Sequence, residues 1–204
     1  MKPLLPPPPH HRILLEPGLP PMWQETVNPA GWRTALPLPR LSALCLGLSS
    51  WGKVDHPLQA WLDDDEVVVD LLTDRALPSG LQHIQLAALK HQETELHDTL
   101  LAALTTHVAR LSDSGDIPNV EDLPPRAPVA DWSPWIRLNG LFLLDMPSAT
   151  PYVGLDFACR WDEHGLGVLC LGTEVLAIGD RETAQDVEGA AAHRQSILQA
   201  LGPT

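Results

Sequence analysis

Apolar and polar residues alternate over residues 152–161. Val153, Leu155, Phe157, Cys159 and Trp161 fall on one side, and Tyr152, Gly154, Asp156, Ala158 and Arg160 on the other. A period of two predicts a strand with one apolar face. Residues 167–171 and 174–178 are apolar runs parted by Gly172-Thr173, and a glycine in first place suits a type II′ hairpin. A three-stranded antiparallel meander follows. Upstream, Leu89, Leu96, Leu100, Leu104, Val108 and Leu111 recur at spacings of seven, four, four, four and three. That is one face of an amphipathic helix of about eight turns, which would cover the meander's apolar face. Pro78, Ser79 and Gly80 open it, and Asp113, Ser114 and Gly115 end it. Glu66–Leu72, rich in β-branched residues, predicts a strand. Residues 135–145 predict another, bulged at Asn139-Gly140. The short apolar run 41–48 predicts a buried strand. Val187–Leu201 predicts a last helix with Val187, Ala190, Ala191, Ile197, Leu198 and Leu201 on one side, stopped by Gly202-Pro203.

The expected fold class is therefore α+β: an antiparallel sheet, made of the C-terminal meander and N-terminal strands, packed against one long amphipathic helix and a C-terminal helix. Residues 1–40 hold many of the 21 prolines, so they are expected to be an irregular segment with about the first 12 residues loose. Trp23 and Trp32 argue that the later part of this segment lies along the domain. Residues 41–204 are expected to form one domain. Pro6, Pro7, Pro8 and Pro9 suit polyproline II and offer a weak PxxP pattern.

Charge narrows the partners. Thirteen Lys plus Arg against 26 Asp plus Glu leave −13, which repels nucleic acid and anionic membrane and favours basic partners. Three cysteines, an odd number in apolar surroundings, argue against a disulfide framework and for a reducing compartment. No apolar run reaches the roughly 20 residues of a membrane span, and the proline run near the start does not suit a signal peptide. The expected location is cytoplasmic.

Candidate chemistry gathers at Asp162, Glu163 and His164, flanked by Trp161, Gly165 and Gly167. One reading is a metal site of carboxylate and imidazole, though adjacent residues rarely converge on one ion. A second is acid–base catalysis of a hydrolase type, with His164 poised by Glu163 or Asp156, or beside Cys159 as nucleophile. A third is structural: Asp162 satisfies backbone donors, His164 bonds a carbonyl, and the glycines take positive φ. The third fits these residue types best, so no catalytic, metal or cofactor residue is expected. His83, His91, His97 and His107 punctuate the long helix with no two four apart, which excludes a helical two-His metal pair.

Tyr152, Val153, Gly154, Phe157, Cys159, Trp161, Asp162, Glu163, His164, Gly165, Gly167, Val168 and Ile178-Gly179 form an ordered signature. It resembles that of small bacterial domains of largely unassigned function found among immunity proteins of polymorphic toxin systems. The likeness extends loosely over about residues 60–185. Here Asp162 and Glu163 adjoin, whereas the family usually places one more residue between them. The resemblance implies an antitoxin that binds and neutralises a cognate toxin, with no catalytic residues to transfer. The acids Asp63, Asp64, Asp65, Glu66, Asp113, Asp116, Glu121 and Asp122 and the tryptophans Trp51 and Trp61 are the expected contacts. A small enzyme built on the His164 corner and a regulatory or scaffold domain remain as alternatives.

Overall fold

The computed structural model describes residues 11–14, 20–25, 31–46, 62–73, 77–114, 120–125, 129 and 131–201. Its eight described strands form one sheet in the order of the sequence: β1 (His11–Leu14), β2 (Met22–Glu25), β3 (Trp32–Pro37), β4 (Glu66–Leu72), β5 (Ile136–Leu144), β6 (Tyr152–Cys159), β7 (Asp162–Leu171) and β8 (Glu174–Gly179). Neighbours are antiparallel except β4 and β5. A parallel joint needs a long crossover, and the helix α2 (Gly80–Ser114) lies within it. The short helix α1 (Pro39–Cys45) follows β3, and α3 (Val187–Leu201) ends the chain.

The predicted long helix is present between the expected ends. Its 35 residues make about ten turns. Leu86, Leu89, Leu96, Leu100, Leu104 and Val108 are buried in the main core with residues of β3 to β7. The expected bulge in β5 is also present, as a register shift between Leu138 and Gly140. The strand Glu66–Leu72 has the predicted bounds.

Three expectations need correction. First, the proline-rich start is not irregular throughout. β1, β2 and β3 carry the sheet into residues 11–37, and the buried Met22, Trp32 and Leu36 join the core. Among the described residues, Pro20 and Pro21 stand just before β2 and Pro37 closes β3. Second, residues 39–45 form a helix rather than a strand. Pro39 pre-sets the first turn, and Leu41 and Leu44 are buried at helical spacing. The helix has no side-chain cap of its own. Instead the buried carboxylate of Glu93, on α2, accepts the backbone N–H of Arg40 at 2.7 Å and of Leu41 at 2.9 Å. Those are two of the orphan donors every helix start carries.

Third, β6 is covered on both faces. Val153, Leu155, Phe157 and Cys159 enter the main core as predicted, but Tyr152, Gly154 and Asp156 are buried too. Tyr152 and Leu169 form a second cluster with Leu144, Met146 and Ala190 of α3. The expected apolar side of α3 is largely outward: Ala190 is buried, while Val187, Ala191, Ile197 and Leu198 are exposed. Polar tethers help orient the helix. His193 Nδ1 lies 3.2 Å from the Tyr152 hydroxyl, and Arg194 Nε donates to the Pro147 carbonyl at 3.2 Å.

Candidate functional site

Strand registers bring one end of the sheet together. Pro37 closes β3 beside Glu66, which opens β4, and β5 runs parallel to β4, pairing from Val69–Leu141 to Leu72–Leu144. Ile136 at the start of β5 pairs with Cys159 at the end of β6, and Cys159 pairs with Asp162 at the start of β7. The crossover through α2 must also return the chain here. Asp63, Asp64, Asp65 and Glu66, which lead into β4, therefore belong to the same end as the Asp162–His164 corner, and the Asp122–Arg160 ion pair brings Asp122 and its neighbour Glu121 there; Asp113 lies in the last turn of α2. Asp116, Trp51 and Trp61 lie outside the described residues.

Backbone bonds hold the acid turn before β4. Asp65 gives its carbonyl to the Leu38 N–H at 2.8 Å, and the Glu66 carboxylate accepts the Asp63 N–H at 2.9 Å. Asp63, Asp64 and Asp65 stay exposed, and Glu66 is half-buried. Asp122 reaches the β6–β7 hairpin, where its carboxylate accepts Arg160 Nε at 3.1 Å. Arg160 also lies over the Trp135 ring, 5.4 Å from its centroid.

The corner itself differs from the expected turn. Arg160 and Trp161 make the hairpin turn, and Asp162, Glu163 and His164 are the first residues of β7. Trp161 is half-buried against the main core. Asp162 does satisfy a backbone donor, the His164 N–H at 2.9 Å. The imidazole shows no carbonyl partner among the described residues. It is 82% exposed, and Glu163 is 89% exposed at 3.8 Å from it, too far for a hydrogen bond. Asp156 does not poise the imidazole. Its Oδ2 accepts Arg181 Nε at 2.8 Å and Nη2 at 2.7 Å. Cys159 donates to the Asp162 carbonyl at 3.5 Å. Burial, then the charges of Asp162 and Asp156, push its thiol up to about 12, away from the thiolate a nucleophile requires.

Of the two corner glycines, one is as expected and one is not. Gly165 has φ +84, as predicted, and a Cβ there would meet the Phe157 carbonyl oxygen at 2.6 Å. Gly167 and Gly154 are not positive-φ residues; they are needed for a close approach. A Cβ on Gly154 would stand 1.5 Å from the Ala184 carbonyl oxygen, and one on Gly167 2.3 Å from that of Asp180. The register Asp156↔Gly167 and Gly154↔Leu169 puts both glycines on the second face. They make a bare seat for the 3-10 turn Arg181–Gln185, and Arg181 latches that turn to buried Asp156. Sequence reading missed this latch. Its signal was the row Gly154, Asp156 and Gly167 on a face that lacked bulky side chains at those positions.

A family model described as "Domain of unknown function (DUF6985)" matches residues 46–185. No curated protein and no solved structure matches the chain. The matched span takes in β4 to β8, the long helix, the corner and its glycine seat, and it ends on the last residue of the 3-10 turn that the seat receives. The chain thus belongs to the family of the domain of unknown function DUF6985.

Proposed function

We propose that this protein is a stoichiometric inhibitor: an immunity protein that binds a cognate toxin bearing a basic surface. The observation that carries the reading is the arrangement of acids. Separate segments, Asp63–Asp65, Glu121–Asp122 and Asp162–Glu163, lie at one end of the sheet of a chain whose net charge is −13. Such a surface accelerates encounter with a positive partner and opposes nucleic acid. The signature residues around Asp162 support the same reading through their likeness to immunity proteins. Asp162 and Asp156 are engaged in local hydrogen bonds, His164 is solvated, and the Cys159 thiol is held protonated. That environment suits a scaffold better than a reacting centre.

The test is co-purification with the product of the adjacent gene, followed by a protection assay in cells expressing that product. A 1:1 complex and rescue of growth are expected. Failure of both would overturn the proposal.

A further inference from the structure

We infer that β8 is a docking edge for an extended segment of the partner, apolar at its centre and carrying lysine or arginine at both ends. This deepens the partner-binding reading and rests on it. β8 is the last strand of the sheet and pairs only with β7 among the described residues. One row of its backbone N–H and C=O groups therefore faces outward. Proteins usually guard such an edge with lysine, proline or inward-pointing charge. The run Val175-Leu176-Ala177-Ile178 carries none of these.

One guard is present, a bulge where Leu169 pairs with Ala177 and Cys170 with Val175. The extra residue, Leu176, packs against the cluster of Leu144, Tyr152, Leu169 and Ala190. Val175 and Ile178 pack on the main core. The strand is thereby held from both faces, and exposed Ala177 puts little bulk in the way of an incoming strand.

Charge selects the occupant. Glu174 begins the strand, Asp180 and Glu182 follow its end, and all three are exposed. A second copy added antiparallel about Ala177 would set Glu174 of one chain opposite Asp180 of the other, each three residues from the centre. Like charges directly opposite oppose self-pairing. A segment with basic ends meets an acid at each end instead. In strand addition the main-chain bonds supply affinity and the side chains supply selection.

The test uses the full chain, ¹⁵N-labelled, with three synthetic heptapeptides of alternating Val and Thr. One ends in Lys at both termini, one in Glu, and one has Lys ends and a central Pro. Amide hydrogen exchange over residues 175–178 is expected to slow about tenfold with the first peptide only. The exposed-site variant Glu174→Lys should weaken that protection. No slowing at β8, equal slowing with the Glu-ended peptide, or a peptide-free dimer protected at β8 would each overturn the inference. The two readings separate cleanly. If lysines at Asp63, Asp64 and Asp65 abolish capture of the adjacent gene's product while the Lys-ended peptide leaves β8 unprotected, inhibition stands and strand addition falls.

Discussion

Gly154 shows what one missing methyl group permits. The Ala184 carbonyl occupies the place a Cβ would take, so Gly154→Ala must push the 3-10 turn off the sheet. A loss of about 2–4 kcal/mol is expected in urea unfolding, with Gln185→Ala, at an exposed position, near zero. Arg181→Ala removes both donors from the buried Asp156 carboxylate and should cost about 2 kcal/mol. Adding Asp156→Asn to that variant should recover part of the loss. The thiols give a pH prediction. Burial raises Cys159 and Cys170 to about 12 and Cys45 to about 11, from an ordinary 9.0. Above pH 9 the unfolded chain releases thiol protons that the native chain retains. The unfolded state then binds fewer protons, so this contribution lowers stability as pH rises from about 9 towards 12. At pH 8 a disulfide-exchange reagent should titrate all three thiols in denaturant and leave Cys159 and Cys170 nearly untouched in the native protein. At this scale the sequence spoke unevenly. It placed Asp162 as a backbone acceptor and Gly165 in positive φ, because both follow from residue type. It missed why Gly154 and Gly167 are glycine, because the atom each must admit lies 30 and 13 residues away, at Ala184 and Asp180.

Among the elements, α2, β4, β5 and α3 were legible because each carries its own period, its own β-branched run or its own stop. The α1 segment was not. Its seven residues are too few to show a period, and its buried leucines satisfy either pattern. The decision rests on Glu93, which caps α1 from α2, 53 residues beyond Arg40. Glu93→Ala should therefore loosen α1 and leave α2 intact, since α2's own hydrogen bonds do not use that side chain. Fast exchange at the Arg40 and Leu41 amides, with a stability loss of about 1–3 kcal/mol, is the expected result. On α2, Leu100→Ala empties a fully buried position and should cost about 2–5 kcal/mol by denaturant melt. α3 was found with its bounds, yet its outward side was misjudged. A helix that meets the sheet through Ala190 and His193, and the β5–β6 connection through Arg194, turns its larger apolar residues to solvent.

Over the whole molecule, charge should govern partner capture. Lysine at Asp63, Asp64 and Asp65 together is expected to slow association with the proposed basic partner by at least about tenfold at low salt. The difference should shrink as ionic strength rises, because exposed charges are screened beyond about 8 Å at physiological salt. Surface plasmon resonance across a salt series reads both effects, and stability should change little because the three carboxylates are exposed. By itself the sequence determined the α+β class, the long helix, the C-terminal meander, the bulge in β5 and the acid excess. Each is written in local periodicity, turn chemistry or a sum over residue types. Only the tertiary structure decided that the proline-rich start joins the sheet, that residues 39–45 coil into a helix, that β6 is buried on both faces, and that acids from distant segments share one end. Those outcomes depend on strand register and on close approaches between residues far apart in the chain, and no local pattern encodes such distances.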